Sequence, residues 1–324
     1  MKRSTIGKVL PLLLAFGAAT FAFAQEYPSR PVQILVGFVA GGGVDIAARV
    51  IAQPLSKILG QPVIVQNRPG AGGQVAASAL LREGVDGLAI LALNYPDLYL
   101  TVELNKAPYK ASDFQIIMVD VKDPRVMLVS KSSNIGSLHE FVARANAQPQ
   151  KLSASVAQGT AQELFAKWLF KSLRLDVIVV GYKGGGDAAN AVLSGEVTAN
   201  IGDDVARLNF RDRMNALFVG SKESSPRWPE APTLHAALAP FGVTPPSADF
   251  MARYGVYVVA ASFKSKHPAD YRTLQAAMLQ AYASPQSQAY IERSGLKDLS
   301  IGKPGEDFDA AFAADMVQVK KLIE

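Results

Sequence analysis

The sequence predicts an α/β fold arranged as two lobes. Apolar strand-like runs alternate with amphipathic helix-like runs along most of the chain, which is typical of helices layered on sheets. Two extended stretches, residues 119–125 and 245–250, are candidates for crossings between lobes. A chain that crosses twice can form a clamp with a hinge. The length of 324 residues is sufficient for two domains of ordinary size.

The predicted strands are short runs rich in Val, Ile and Leu. In chain order they cover residues 32–36, 62–65, 88–93, 116–121, 125–129, 176–180 and 254–260. The predicted helices carry apolar residues three and four positions apart. They cover residues 46–58, 74–81, 137–147, 162–172, 187–194, 269–283 and 304–323. From the two crossings we expect lobe I to contain residues 25–122 and 253–324, and lobe II to contain residues 123–252.

The N-terminus has the pattern of a secretory signal peptide. Three basic residues accompany an apolar stretch over residues 9–23, and a small-residue cleavage site ends at Ala24. The apolar stretch is shorter than the roughly 20 residues that a membrane-spanning helix needs. We therefore expect residues 1–24 to be removed and the mature chain to be exported.

The charge of the mature chain argues against nucleic acid as a partner. The full chain has 33 Lys and Arg, 28 Asp and Glu, and a net charge of +5. Because residues 1–24 hold three of the basic residues and no acidic residue, their removal lowers the net charge to +2. The chain also has no cysteine, which excludes disulfides, thiol catalysis and thiolate metal sites.

A glycine-rich loop follows the first predicted strand and precedes a helix. Its candidate ligand-binding residues are Phe38, Ala40, Gly41, Gly42, Gly43 and Asp45. Glycines let the backbone approach a bound group closely, and a helix start offers unpaired N–H donors with about half a positive charge. The loop therefore predicts a cradle for a carboxylate or phosphate. Asp45 has two interpretations: it pairs with Arg49 one turn later, or it lines the cleft or orders the loop.

Three further loops occupy a similar context. Residues 66–73 repeat the order of strand, glycine turn and helix, although a tight turn alone explains that pattern. The loop with Gln158, Gly159 and Thr160 precedes a helix, and its hydroxyl either caps this helix or contacts a ligand. The loop with Tyr182, Lys183 and Gly184 begins a second triple glycine, which could face the first across a cleft.

Neither a nucleotide site nor a catalytic site is predicted. The triple glycines do not continue into a P-loop or a G-x-G-x-x-G fingerprint. The three histidines are far apart in sequence, and no Gly-x-Ser-x-Gly elbow occurs. Asp203 and Asp204 are a local carboxylate pair that we interpret as a solvated turn or a cap, with ligand contact as the alternative. We expect no catalytic residue, no metal and no cofactor.

Many segments of the mature chain resemble the Bug (TctC-like) receptors, the extracytoplasmic binding components of tripartite tricarboxylate transporters. The most distinctive is Asn-Arg-Pro-Gly-Ala-Gly-Gly at residues 67–73. The other similar segments are residues 27–31, 40–45, 54–57, 60–63, 86–87, 113–114, 159–160, 182–184, 193–197, 229–233 and 254–255. The resemblance thus extends over nearly all of the mature chain.

The resemblance implies a periplasmic-binding-protein fold (type II-like), in which two α/β lobes joined by a two-stranded hinge close on a small carboxylated solute. It implies a receptor without enzymatic activity, located in the periplasm, with membrane permease subunits as partners. Backbone amides, hydroxyls and bridging waters would hold the solute. The implied ligand shell combines the loops at residues 38–45, 158–160 and 182–184 with Asn94 and Tyr95 after the third strand. Asp203 completes our candidate set. We expect a monomer.

Several departures from the family pattern place acidic or bulky groups near the expected cleft. They are Gln158, Asp187, the pair at 203–204 and the segment from Asn94 to Asp97. If these acidic groups face the cleft they would repel a dianion, which favours a monocarboxylate, a neutral amide or an aromatic acid as solute. Two alternative functions remain open: a ligand-sensing subunit for a partner protein, and an exported α/β hydrolase or isomerase.

Overall fold

A computed structural model describes residues 27–247 and 250–323 of this chain. The predicted signal peptide, residues 1–24, lies outside the described residues. Within the described part of the chain, none of the helices is both long enough and apolar enough to span a membrane.

The described residues form eleven strands and eleven α-helices. The strands are β1 (Val32–Val36), β2 (Val63–Asn67), β3 (Ala89–Tyr95), β4 (Phe114–Asp123), β5 (Arg125–Ser130), β6 (Ser153–Ala157), β7 (Ile178–Tyr182), β8 (Ala199–Asp203), β9 (Met214–Val219), β10 (Arg253–Ala260) and β11 (Ser300–Pro304). The helices are α1 (Gly43–Leu59), α2 (Gln74–Glu83), α3 (Asp97–Asn105), α4 (Leu138–Ala147), α5 (Ala161–Ser172), α6 (Gly185–Leu193), α7 (Leu234–Leu238), α8 (Ala261–Lys266), α9 (Pro268–Tyr282), α10 (Pro285–Arg293) and α11 (Asp309–Ile323).

The strands form two mixed sheets, which confirms the predicted α/β class. The first sheet has six strands in the order β11-β4-β10-β3-β1-β2, and the second has five in the order β7-β6-β8-β5-β9. Strand β1 is parallel to β2 and β3, and β6 is parallel to β7 and β8. Apolar residues of α1 and α9, including Leu55 and Leu274, pack on one face of the first sheet. Burial of each such side chain contributes about 1.5–3 kcal/mol to folding.

All seven predicted strands are present, but four others were missed. Strand β8 has the sequence Ala-Asn-Ile-Gly-Asp and is fully buried, and β6 has the sequence Ser-Ala-Ser-Val-Ala. Small and polar residues give little strand signal, so these strands form because the neighbouring strands and helices surround them. The predicted helix at 304–323 begins only at Asp309, since Pro304 ends β11.

The chain passes between the sheets at two adjacent points. Strand β4 ends in the first sheet at Asp123, and β5 begins in the second sheet at Arg125. The chain returns to the first sheet at Arg253, which pairs directly with Asp123 in the β4–β10 ladder. The predicted lobe boundaries at 122/123 and 252/253 lie beside these crossings and stay a prediction.

Candidate ligand-binding cleft

A cleft with a volume of 1460 Å³ lies between the two sheets. Its walls include loops that follow β1, β2 and β3 in the first sheet and β6, β7 and β8 in the second. Ligands of α/β proteins commonly bind at the carboxyl ends of parallel strands, because the following helices begin there. The two triple-glycine loops approach each other across this cleft, since a Cβ placed on Gly184 would lie 3.8 Å from Val39 Cγ2.

Helix α1 begins at the cleft without a side-chain cap. Gly42 occupies the N-cap position in extended conformation and has no side chain that could accept from the first turn. Among the described residues, the backbone N–H groups of Gly43 and Val44 have no hydrogen-bond acceptor. Because free N–H groups at a helix start attract anions, this wall can bind a carboxylate.

Helix α6 begins at the opposite wall in the same way. Gly184 is its N-cap residue, again extended and without a side-chain cap. Within the described structure, the N–H groups of Gly185 and Gly186 also lack an acceptor. Two uncapped helix starts therefore point donors into one cleft.

Helix α5 differs because its N-terminal donors are already bonded. Thr160 Oγ1 accepts from Gln162 N at 3.3 Å, and Asp97 Oδ1 accepts from Ala161 N at 2.8 Å. Glu163 Oε2 accepts from Gly159 N at 2.9 Å. Thr160 therefore caps the helix, which was one of its two interpretations, although it also lines the cleft with its neighbours.

Asp45 does not line the cleft. Its carboxylate lies beneath the first glycine loop, where Gly41 N and Asn67 Nδ2 each donate to it at 2.9 Å and Arg49 forms an ion pair. Burial alone would raise the pKa of Asp45, but the hydrogen bonds from Arg49, Gly41 and Asn67 hold this pKa below its ordinary value. Asp45 therefore orders the loop. Asn67, which also donates to Phe38 O at 3.1 Å, is a positioning residue that we did not predict.

Tyr95 also lies away from the cleft lining. Its ring is 1% exposed and stacks on Phe312 at a centroid distance of 3.8 Å. Its single hydroxyl proton is shared between Phe312 O at 2.9 Å and Asp315 Oδ2 at 3.0 Å. The alternation of side chains along β3 explains the difference, because Tyr95 and its neighbour Asn94 point to opposite faces.

The remaining candidate residues all lie at the cleft. They are Phe38, Ala40, Gly41, Gly42, Gly43, Asn94, Gln158, Gly159, Thr160, Tyr182, Lys183, Gly184 and Asp203. Asp187 lies there as well, at an exposed position in the first turn of α6. The structure thus brings together residues that are up to 165 positions apart, from Phe38 to Asp203.

The pair at 203–204 is buried, so the interpretation as a solvated turn is wrong. Asp203 lies at the cleft, bonded to Arg125 and to Gln162 Nε2 at 3.0 Å. Asp204 lies outside the lining, where Arg227 Nε and Trp228 Nε1 each donate to it at 2.7 Å. Only the first of the two carboxylates could influence a bound solute directly.

Three buried or nearly buried arginines at the cleft were missed in the sequence. Arg125 pairs with Asp203, while Arg253 Nη2 donates to Asp123 at 2.7 Å. Arg207 donates to Asn200 Oδ1 at 2.7 Å beneath the start of α6. Isolated arginines in strands and turns carry no motif, so no sequence signal could have found them. The ion pair with Arg125 offsets the charge of Asp203, and the expected repulsion of a dianion by the acidic groups stays a prediction.

The described residues contain no group of three or more His, Cys, Asp or Glu side chains placed to hold a metal ion. The polar groups at the cleft are backbone N–H donors, amides, hydroxyls, a lysine, guanidinium groups and carboxylates. Such a set can recognise a small polar organic molecule by hydrogen bonds and charge.

Comparison of the sequence with protein families matches residues 47–296 to the family model described as "Tripartite tricarboxylate transporter family receptor" (TctC). BugT of Bordetella pertussis is 32% identical over 246 residues, which are 74% of this chain and 75% of that protein. A protein encoded in the gbd 5′ region of Cupriavidus necator is 32% identical over 236 residues, covering 69% of this chain and 71% of its own length.

Solved structures show the same fold at lower identity. MatC from Rhodopseudomonas palustris, solved with bound malate, has a TM-score of 0.78 and 21% identity, covering 92% of this chain and 100% of its own. A second Rhodopseudomonas palustris protein, solved with adipate, has a TM-score of 0.79 and 22% identity, covering 92% of this chain and 97% of its own. The periplasmic binding protein BugD has a TM-score of 0.78 and 22% identity, covering 91% of this chain and 97% of its own.

Proposed function

Because the chain belongs to the tripartite tricarboxylate transporter receptor family, whose members are solute-binding receptors and not enzymes, we propose that it is a periplasmic receptor for a small carboxylated organic solute. The observation that carries this proposal is the pair of uncapped helix starts, α1 and α6, that aim free N–H donors into one cleft. Malate and adipate in two structural neighbours support a carboxylate as the recognised group.

The binding free energy expected for such a site is in the range suited to a transport receptor. Each hydrogen bond from a backbone amide to a charged carboxylate contributes about 1.5–3 kcal/mol. A few of these bonds give about −8 kcal/mol, which corresponds to micromolar affinity. The buried or nearly buried arginines at the cleft offset most of the carboxylate charge there, so dicarboxylates and monocarboxylates are both admissible.

Capture of the solute follows from closure of two lobes about the crossings at Asp123 and Arg253. We take lobe I as residues 25–122 and 253–324, and lobe II as residues 123–252. Since the two glycine loops belong to different lobes, a solute bound to both favours the closed arrangement to the extent that it binds that arrangement better. A monomer closed in this way would be presented to membrane permease subunits of a tripartite tricarboxylate transporter.

The same closure would serve a sensing subunit that delivers the liganded form to a partner protein. The family membership favours transport, and a solute-uptake assay in cells lacking the protein separates the two roles. An exported hydrolase or isomerase has no support, because Asp203 at the cleft is held in an ion pair with Arg125 and none of the described histidines lines the cleft.

The proposal is tested by titrating the purified mature chain with malate, adipate and a panel of mono- and dicarboxylic acids in a calorimeter. We expect at least one carboxylic acid to bind with about micromolar affinity and to reduce the radius of gyration measured by X-ray scattering. Failure of every carboxylate to bind, alongside binding of an uncharged sugar, would contradict the proposal.

A further inference from the structure

The cleft extends past the glycine loops to a group of polar side chains from β4, β10, α9, α10 and β11. We call this part the inner pocket and define it by Asp120, Tyr257, Tyr282, Tyr290 and Ser300, all of which except Tyr290 lie on or beside the first sheet. Tyr282 OH donates to the backbone carbonyl of Asp120 at 2.7 Å and lies 2.7 Å from Ser300 Oγ. These contacts hold the inner pocket together at the end of α9.

Asp120 enters the inner pocket because of a β-bulge. In the β4–β10 ladder Gly255 pairs with Val121 and Val256 pairs with Val119, so Asp120 is the extra residue on β4. Bulges often re-aim a side chain next to a binding site. The carboxylate of Asp120 lies directly over Gly255, where any Cβ would overlap with it. A glycine at 255 therefore makes room for this carboxylate.

Two polar atoms of the inner pocket have no hydrogen-bond partner among the described residues. They are Oδ1 of Asp120, which is 6% exposed, and the hydroxyl of Tyr257, which is 2% exposed. Buried polar atoms are nearly always bonded, because leaving one without a partner costs about 1–3 kcal/mol. Both atoms belong to residues that line the cleft, where a bound group could reach them.

The buried side chains at the base of the cleft, where Asp120 lies, carry more negative than positive charge. Of the carboxylates there, Asp203 is paired with Arg125 and Asp123 with Arg253, whereas Asp120 forms no ion pair within the described structure. The buried or nearly buried charged groups of this region are Asp97, Asp120, Asp123, Asp203, Arg125, Arg207 and Arg253. Four carboxylates against three guanidinium groups leave an excess of one negative charge, which one cation would balance.

From the two unpartnered atoms and this charge excess, we propose that the inner pocket binds the ammonium group of an amine-bearing carboxylate solute. Asp120 Oδ1 supplies a charged acceptor, and the hydroxyl oxygen of Tyr257 supplies a neutral one. The carboxylate of the same solute meets the free N–H groups of α1 and α6. This inference rests on the proposed function and specifies the solute class for the same cleft.

The proposal is tested by calorimetry of the mature chain with matched pairs of acids that differ only in an amino group. Suitable pairs are glutamate and glutarate, aspartate and succinate, and γ-aminobutyrate and butyrate. We expect the amine-bearing member of at least one pair to bind about tenfold or more tightly, since a hydrogen bond to a charged partner is lost in the other. Equal or tighter binding of the deaminated member in every pair would overturn the proposal.

Variants separate the inner pocket from the rest of the cleft. Asp120→Asn should abolish the preference for the amine, and Tyr257→Phe should reduce it about threefold or more. Asp315→Asn is the matched control, because Asp315 is a half-buried carboxylate outside the cleft that accepts from Tyr95. A preference that survives both Asp120→Asn and Tyr257→Phe would refute the inner pocket as the ammonium site. Loss of binding for amines and deaminated acids alike in the unaltered chain would instead contradict the proposed function.

The pH dependence gives an independent readout. Burial raises the pKa of Asp120 to about 6, although nearby Arg253 opposes this shift. The preference for the amine should therefore increase between pH 5 and pH 7.5, as Asp120 loses its proton. The other groups facing Asp120 are Arg253 and Tyr257 from β10 and Tyr282 from α9, and Tyr290 from α10 faces Tyr257. Burial raises the pKa of Tyr257 and of Tyr282, away from this pH window. A preference that is constant across this range would contradict the role of Asp120.

Discussion

The rim and the floor of the cleft are polar for different reasons. The rim, residues 38–44 and 182–187, offers backbone N–H groups at two uncapped helix starts. The floor, formed by Asp123, Arg125, Asp203 and Arg253, offers buried side-chain charges in ion pairs. Rim donors come from the main chain, so they need only glycine and a helix start. Floor charges need specific partners at specific distances.

This difference indicates that the rim mainly determines solute recognition, whereas the floor mainly determines stability. A change at the rim removes contacts to a solute but leaves few buried groups without partners. A change at the floor leaves a charge without its partner in a place that water cannot easily reach. Moreover, Arg253 and Asp123 pair where the chain crosses between the sheets, so the floor also holds the crossings in place.

The largest effect is expected at the floor. Arg253→Ala removes the partner of Asp123, which is fully buried, and should reduce the free energy of unfolding by about 3–5 kcal/mol. Urea denaturation followed by circular dichroism measures this loss. Arg30→Ala is the control, because its ion pair with Asp86 is exposed and should contribute less than about 1 kcal/mol. Similar losses in the two variants would remove the distinction between floor and surface pairs.

The second-largest effect is expected at the rim, where substitutions should lower solute affinity and leave stability nearly unchanged. Gly184→Leu, like Gly42→Leu, should place a side chain over free N–H donors and weaken solute binding by about tenfold to a hundredfold. The free energy of unfolding should change by less than about 1 kcal/mol, because neither position has positive φ. Calorimetry and denaturation measure the two quantities. Gly136→Leu, at an exposed glycine outside the cleft, is the matched control. Undiminished binding in both rim variants would contradict the role of these loops.

A smaller effect on stability tests whether the start of α5 belongs to the ligand-binding rim. Thr160→Ala removes the cap on Gln162 N and should reduce the free energy of unfolding by about 1 kcal/mol. We expect solute affinity to change less than threefold, since the donors of this helix start are bonded within the protein. A loss of affinity above tenfold would assign the loop at 158–160 to the rim.

The smallest effect comes from an ion pair outside both regions. Burial would raise the pKa of Glu306, but hydrogen bonds from Lys264, Tyr271 and Gln275 lower this pKa to about 2 from its ordinary 4.5. The stabilisation is therefore present above about pH 4.5 and is lost as pH falls towards 2. Because Glu306 is about a third exposed, we expect less than about 1 kcal/mol. The stability difference between Glu306→Gln and the unaltered chain, measured from pH 7 to pH 2, should shrink with falling pH.

The sequence predicted the rim better than the floor, and the reason is physical. The rim is a local pattern of strand, glycines and helix, so residues 38–44 and 182–187 could be identified directly in the sequence. The floor joins β4, β5, β8 and β10, whose residues meet only after both sheets have formed. Strands β6 and β8 were missed for a related reason, since small and polar residues become strands only through their neighbours. The orientation of the Asp45 side chain away from the cleft likewise depends on Asn67, which lies in β2.

The hydrogen bond between Asp97 and Ala161 has a consequence for affinity. Asp97 begins α3 beside the first sheet, whereas Ala161 begins α5 beside the second, so this buried contact joins the two halves of the molecule. A Cβ on Gly72 would lie 2.6 Å from Gly159 O, so the backbones of the two halves also meet closely there. If the halves separate, the hydrogen bond between the Asp97 carboxylate and the Ala161 N–H breaks, and both groups must bond to water instead. Part of the free energy of closure is therefore contributed by the protein itself, so a change at Asp97 can alter the affinity for a solute through the contact between the two halves.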